Sequence, residues 1–338
     1  MEKKKITIGL QGGGTHLAFS SGVIDCLLED GRFEIEGASG TSAGGLICAT
    51  LAQGLLKNGP QGARDELKAF WDMIISEGIR LGLRPSYFDR YLYKESVSFS
   101  LYIEMLKGVF HSWLLPGDWN PYGKNTFKNV LNNFFDFEKL AHNEQFKLFI
   151  TATNVLNSKL KVFSGKDLTV EAFMATACLP YLTEAIEING EYYWDGAYIG
   201  NPSLFPLMNE CSSRDILVVL VIPHKVSKLP HTFMEVRSRL QELSSTNALV
   251  REMRAINFIG SLMEENVALQ KKLKKMNMHI IEDSLFFEEY DAHSRLNTDK
   301  NFLQKLHERG RLVAAKWIEN NFEHVGKKST ANIQEEFI

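Results

Sequence analysis

Cysteine is scarce in this 338-residue chain, and its four copies, Cys26, Cys48, Cys178 and Cys211, stand far apart. They have neither metal-ligand spacing nor the density of a disulfide framework, so they read as reduced packing residues. An excess of one charge is also lacking: the formal net charge is −3, which excludes a general attraction to nucleic acid. No apolar run reaches the roughly 18 residues that a membrane-spanning helix needs. Met1-Glu2-Lys3-Lys4-Lys5 leads straight into a strand-like segment, without an apolar h-region or a cleavage site. The expectation is a cytoplasmic protein without a Sec-type signal, with export by another route left open. Internal repeats are missing. Low-complexity sequence is confined to the polar tail from Gly326, which is expected to fray.

What is present is a hydrophobic fraction of 44%, enough for one large core with a smaller one appended. Apolar patterning predicts strands over 5–10, 34–38, 146–154, 159–163, 192–194 and 214–222. Helical periodicity falls over 16–29, 43–57 and 61–77, then over 232–275 and 299–321. The alternation predicts an α/β fold, a largely parallel sheet covered by helices on both faces. Pro223 and Pro230 bracket a linker, dividing a domain over 5–225 from a helical extension over 226–338. Leu249, Met253, Ile256, Phe258 and Ile259 are the expected seam of that extension, for docking on the first domain or for a dimer. An insertion over 80–140 is rich in aromatics, from Tyr87 and Phe88 to Trp119, Tyr122 and Phe127. It reads either as a roof over a ligand pocket or as a packed helical subdomain.

Gly40-Thr41-Ser42-Ala43-Gly44 is a G-x-S-x-G pattern between a strand-like run and a helix-like run. A serine on such a turn has its hydroxyl pushed out at the carboxyl end of the sheet. Gly40 and Gly44 let the backbone fold that sharply. The pattern also arises by chance, so its position matters. Only 41 residues precede Ser42, too few for the strands and oxyanion loop that come first in an α/β-hydrolase. Those residues hold Gln11-Gly12-Gly13-Gly14, between a strand and a helix start. Such a loop is a nest of N–H donors aimed at negative charge. Leu17 stands where a dinucleotide fingerprint needs glycine, and no Gly-Lys-Ser/Thr follows, so both nucleotide readings fail. An oxyanion hole or a plain turn remains. Downstream, Asp195-Gly196 puts a carboxylate just after an aromatic strand, although an Asp-Gly pair alone also marks turns. Neither a cofactor nor a metal is implied.

Together, Gly12-Gly13-Gly14, Gly40-Thr41-Ser42-Ala43-Gly44 and Asp195-Gly196-Ala197 resemble the patatin-like phospholipase family. Ala175-Thr176-Ala177-Cys178-Leu179-Pro180 is similar to the family's small-residue helix and proline ahead of the acid loop. The resemblance covers roughly residues 6–210. Beyond it, the runs Arg251 to Ile256 and Arg295 to Thr298 resemble the C-terminal extension of one bacterial branch. The family implies a three-layer α/β/α fold with a mainly parallel central sheet, here with a helical C-terminal extension. It also implies a serine esterase of lipid metabolism with a Ser42–Asp195 dyad and no histidine. Gly12, Gly13 and Gly14 would form the oxyanion hole, with Ala43 as a further donor. A Ser-His-Asp triad would instead need His16 or His224 to reach Ser42.

Two departures bear on this expectation. Many members carry a basic residue two positions after the third glycine, where it can pair with a lipid phosphate. Here His16 stands there, and a neutral imidazole binds phosphate more weakly than a guanidinium. The expected substrate is therefore a lipid or other acyl ester, with a storage polyester or thioester as the alternative. A non-catalytic binding protein on the same scaffold is the third reading. The second departure, Ala197 in place of a glycine, is one methyl group that the loop should tolerate. Lys271-Lys272-Leu273-Lys274-Lys275 reads as a solvated face or a peripheral contact with a membrane or granule. The oligomeric state is left open.

Overall fold

The structure, a computed structural model, describes residues 3–80, 83–87, 89, 91, 95–97, 124–180 and 183–338. Within them eight strands form one sheet. They are β1 (Lys4–Leu10), β2 (Phe33–Thr41), β3 (Lys147–Asn154), β4 (Leu160–Phe163), β5 (Ile186–Ile188), β6 (Glu191–Asp195), β7 (Asp215–Val219) and β8 (Asn277–Ile281). The order is β5-β6-β3-β2-β1-β7-β8, with β4 paired to β3 off this path. The pairs β1–β2, β1–β7, β2–β3 and β7–β8 are parallel, while β3–β4, β3–β6 and β5–β6 are antiparallel.

The region around β7 accounts for the layering. Side chains of a strand alternate between faces, and both faces of this one are buried. Ile216, Val218 and Leu220 enter a core with Leu249, Met253 and Ile256 of the long helix Phe233–Glu265. Leu217, Val219 and Val221 enter the other core, with Leu17, Phe19 and Val23 of helix α1 (Leu17–Asp30). Strand order reverses at β1, so the chain leaves β1 and β7 toward opposite faces. In open α/β sheets, ligand sites form at the carboxyl ends beside such a reversal.

Helix α1 packs against the helix Lys300–Asn321 through two glycines. A β-carbon on Gly22 would stand 2.0 Å from the carbonyl oxygen of His307, and one on Gly310 would stand 2.0 Å from that of Phe19. Ion pairs from Arg64 and Arg311 to Asp25 and Glu29 flank the contact. Helix α2 (Ala43–Arg80) is broken where Asn58 and Gly59 leave helical geometry ahead of Pro60. This matches the two helices expected over 43–57 and 61–77.

Three expectations are corrected. The helix predicted over 232–275 ends at Glu265, and β8 follows at Asn277. The break falls at Asn266, whose extended backbone ends the long helix and whose side chain caps a separate short one, Val267–Gln270. Beyond the predicted helix, β8 is held by pairing with the edge of β7. The tail from Gly326 is folded: Ile333 and Phe337 of its last helix, Ile333–Phe337, are buried in the second core. Only part of the expected seam is internal, since Leu249, Met253 and Ile256 are buried while Phe258 and Ile259 are exposed. Of the lysine run, Lys274 donates to the carbonyls of Cys211 and Ser213, and Lys275 pairs with Glu264. Most of the 80–140 insertion, and the roof or subdomain expected there, lies outside the described residues. Phe127 packs against the core, whereas Tyr87 and Tyr91 are exposed. No described helix is long and apolar enough to cross a membrane.

Candidate active site

The register of the sheet brings the three sequence motifs to one place. Leu10 pairs with Gly40, so the glycine loop after β1 runs beside the serine turn after β2. Thr41 pairs with Thr151, and the next residue of β3, Ala152, pairs with Asp195 at the end of β6. Asp195 is thus two strand spacings from the serine turn, at about 4.8 Å each.

Ser42 has φ 57, a left-handed conformation that is rare outside glycine. Its surroundings hold it there. The Ser42 N–H donates to Thr176 Oγ1 at 2.8 Å, and that hydroxyl donates to the Thr151 carbonyl at 2.6 Å. The Ser42 carbonyl accepts from the N–H groups of Gly45 and Leu46, which starts α2. A β-carbon on Gly40 would stand 2.4 Å from the Gly44 carbonyl oxygen, and one on Gly44 would stand 2.6 Å from that of Leu10. Both glycines of the motif are therefore required by close backbone approach.

Asp195 is 1% exposed. Its Oδ1 accepts from the Ala197 N–H at 2.8 Å, and its own N–H donates to the Cys178 carbonyl at 2.8 Å. Burial pushes its carboxyl up to about 7, against the opposing pull of hydrogen bonds from the Ser42 hydroxyl and the Ala197 N–H. Gly196 lies where a β-carbon would be 2.4 Å from the Thr151 carbonyl oxygen. The alanine at 197 leaves this turn intact, with its N–H oriented on the carboxylate.

The glycine loop divides its duties. The Gly12 N–H is committed to Asn201 Oδ1 at 2.6 Å and so does not face an incoming ligand. Among the described residues, none accepts from the N–H of Gly13 or Gly14. Gly14 has φ 57 and lies so close to the C-terminal segment that a β-carbon would meet the Arg295 carbonyl oxygen at 2.1 Å.

His16 does not face the serine. It is 2% exposed, its Nε2 lies 2.9 Å from Ser294 Oγ, and its ring sits among Phe287, Tyr290 and Phe302. Burial, reinforced by the nearby Arg295 guanidinium, lowers its pKa to about 3. This neutral side chain packs the glycine loop onto the C-terminal segment instead of facing a ligand. His224 stacks on Phe337, and neither histidine is a hydrogen-bond partner of Asp195.

Sequence reasoning missed Thr176 and Asn201 as site residues. Thr176 lies in the small-residue run before Pro180, and Asn201 directly precedes Pro202. Both signals were visible, but which side chains turn inward depends on packing between distant segments.

A family model for patatin-like phospholipase matches residues 9–208, more than half of the chain. The chain belongs to the patatin-like phospholipase family. Its mixed, mostly parallel sheet flanked by helices is the patatin fold. No curated protein matches the sequence. Among solved structures, the ExoU–SpcU complex from the type III secretion system of Pseudomonas aeruginosa is similar, with TM-score 0.38 and 14% identity over 95% of this chain and 52% of that one. A crystal structure of type III effector protein ExoU gives TM-score 0.36 and 14% identity over 94% of this chain and 53% of that one. This patatin-like chain spans about half the length of the solved structures it matches.

Proposed function

We propose that this patatin-like protein is a serine acyl hydrolase that cleaves carboxylic esters of lipids. The observation that carries the reading is the convergence of the Ser42 turn and the buried Asp195 carboxyl across β3, with that carboxyl raised by burial to about 7. A base with a pKa near the working pH is best matched to taking and returning a proton.

In the proposed reaction Ser42 Oγ attacks the ester carbonyl carbon as its proton moves to the Asp195 carboxylate. The carbonyl oxygen becomes an oxyanion, held by the N–H groups of Gly13 and Gly14 and assisted by Ala43 at the start of α2. One such donor is typically worth about 3 kcal/mol in the transition state. Collapse breaks the ester C–O bond, and the leaving alkoxide takes the proton from Asp195 to depart as an alcohol. Water then attacks the acyl-Ser42 ester as Asp195 accepts its proton, and collapse breaks the acyl C–Oγ bond while Ser42 Oγ takes that proton back, releasing the acid.

A panel of p-nitrophenyl esters, phospholipids and short polyester oligomers tests this reading. The wild type should hydrolyse lipid esters and Ser42→Ala should not. Equal turnover by both proteins would remove the reading. Turnover confined to the polyester arm would move the substrate to a storage polymer with the same chemistry.

A further inference from the structure

The fold gives Asn201 a place that the Ser42–Asp195 chemistry does not by itself explain. Its side chain is wholly buried, and its Oδ1 accepts the Gly12 N–H at 2.6 Å. Gly12 in turn lies directly against the nucleophile: a β-carbon there would be 2.7 Å from the Thr41 carbonyl oxygen and 2.9 Å from Ser42 Cβ. The loop that carries Asn201 begins at Asp195 and is fixed along its length. Thr41 Oγ1 donates to the Gly200 carbonyl at 2.7 Å, and Ser39 Oγ donates to the Ser203 carbonyl at 2.6 Å. Behind it, the Glu252 carboxylate accepts from the Leu204 N–H at 2.7 Å and from Ser203 Oγ at 3.0 Å. Asn201 thus joins the segment that starts at the base to the segment that starts the glycine loop.

We propose that Asn201 is a positioning residue, holding Gly12 so that the following Gly13 and Gly14 N–H groups meet the oxyanion beside Ser42. The inference rests on the acyl-transfer reading given above. Asparagine suits the position for one reason and at one cost. Its carbonyl accepts as aspartate would, yet it brings no negative charge next to an oxyanion that is forming. The cost is that its Nδ2 is buried with no hydrogen-bond partner among the described residues. Preorganised donors lose much of their effect when displaced by small amounts, because the transition state tolerates little misalignment.

The test pairs a structural readout with a chemical one on the full chain, using Asn201→Ala and its near-isosteric companion Asn201→Asp. Hydrogen exchange of the peptide containing Gly12 to Gly14 reports the hold without needing any activity. Phosphonylation by a fluorophosphonate reports the reaction, split into a maximal rate and a half-saturating concentration. Exchange should accelerate by about tenfold or more in Asn201→Ala and stay slow in Asn201→Asp, which keeps the acceptor. The maximal phosphonylation rate should fall by about tenfold or more in both variants, with half-saturation within about twofold of wild type. Wild-type labelling rates in Asn201→Ala would overturn the proposal and leave the Ser42 reading intact. A loss confined to half-saturation would also overturn it, by making Asn201 a binding residue. If the wild type itself does not label, the Ser42 reading fails. Accelerated exchange in Asn201→Ala would then make Asn201 a purely structural tie, which overturns its role in the reaction.

Discussion

Burial pushes the Asp195 carboxyl up to about 7, while hydrogen bonds from Ser42 and Ala197 pull in the other direction. An ordinary aspartate titrates near about 3.9. Between about pH 4 and pH 7 the folded protein keeps a proton that the unfolded chain has lost. The contribution of Asp195 to stability therefore falls as pH rises through that window and levels off above it. In the proposed reaction the same ionisation makes the base, so turnover should rise through about pH 7. Asp195→Asn removes both effects. We expect its kcat to fall by about a hundredfold or more, and its Tm to gain on wild type at pH 8 relative to pH 5. Thermal melts at the two pH values check the second point, and an identical Tm difference at both would contradict it. Such opposition between chemistry and stability is common at active sites. The residue identities behind it were legible in the sequence, since Ser42, Asp195 and the glycine loop all announced themselves by motif. The orientation of His16 was not, because a side chain two positions from a glycine nest can face either the ligand or the core. Its burial against Phe287, Tyr290 and Phe302 is set by a segment nearly three hundred residues away.

At the scale of elements, periodicity read the strands with both faces buried and the helices with one apolar face. It failed where an element exists only because a neighbour does. β5 and β8 are three and five residues long. Such segments gain their hydrogen bonds from β6 and β7 rather than from any preference of their own. The close packing of α1 on the helix Lys300–Asn321 was equally hidden, since Gly22 and Gly310 matter only as a pair of backbone approaches. Gly310→Ala tests that contact. Its new methyl group would meet the Phe19 carbonyl oxygen at 2.0 Å, so one helix must shift. We expect a loss of about 1–3 kcal/mol, the usual cost of overpacking, in spite of alanine's better helix propensity. Denaturant titration measures it. An unchanged or higher midpoint would mean that the two helices are not held at this distance in solution.

Across the whole molecule, the segment beyond residue 226 is woven into the sheet and the loops around Ser42 and Asp195. It supplies β8 to the sheet, Glu252 to the loop after Asp195, and Ser294 and Arg295 to the back of the glycine loop. Its last residues close the structure. Asp215 Oδ1 accepts from His279 Nε2 at 2.9 Å and from the Gly326 N–H at 2.8 Å, and Thr330 Oγ1 lies 2.9 Å from His279 Nδ1. Removing residues 326–338 would expose the core positions filled by Ile333 and Phe337, at about 1.5–3 kcal/mol for each side chain. It would also leave Asp215 and His279 short of partners. The truncated chain should lose several kcal/mol in urea titration, and unchanged stability would show the tail to be dispensable. The polar composition of this tail hid its role, because only two of its side chains bury.

The central claim is that Ser42 is the nucleophile and Asp195 its base. Peptide mass spectrometry after fluorophosphonate treatment tests it most directly. The account predicts one phosphonyl group, located on Ser42 in the wild type, missing in Ser42→Ala and formed far more slowly in Asp195→Asn. An adduct on another residue, or one formed equally fast in Ser42→Ala, would contradict it.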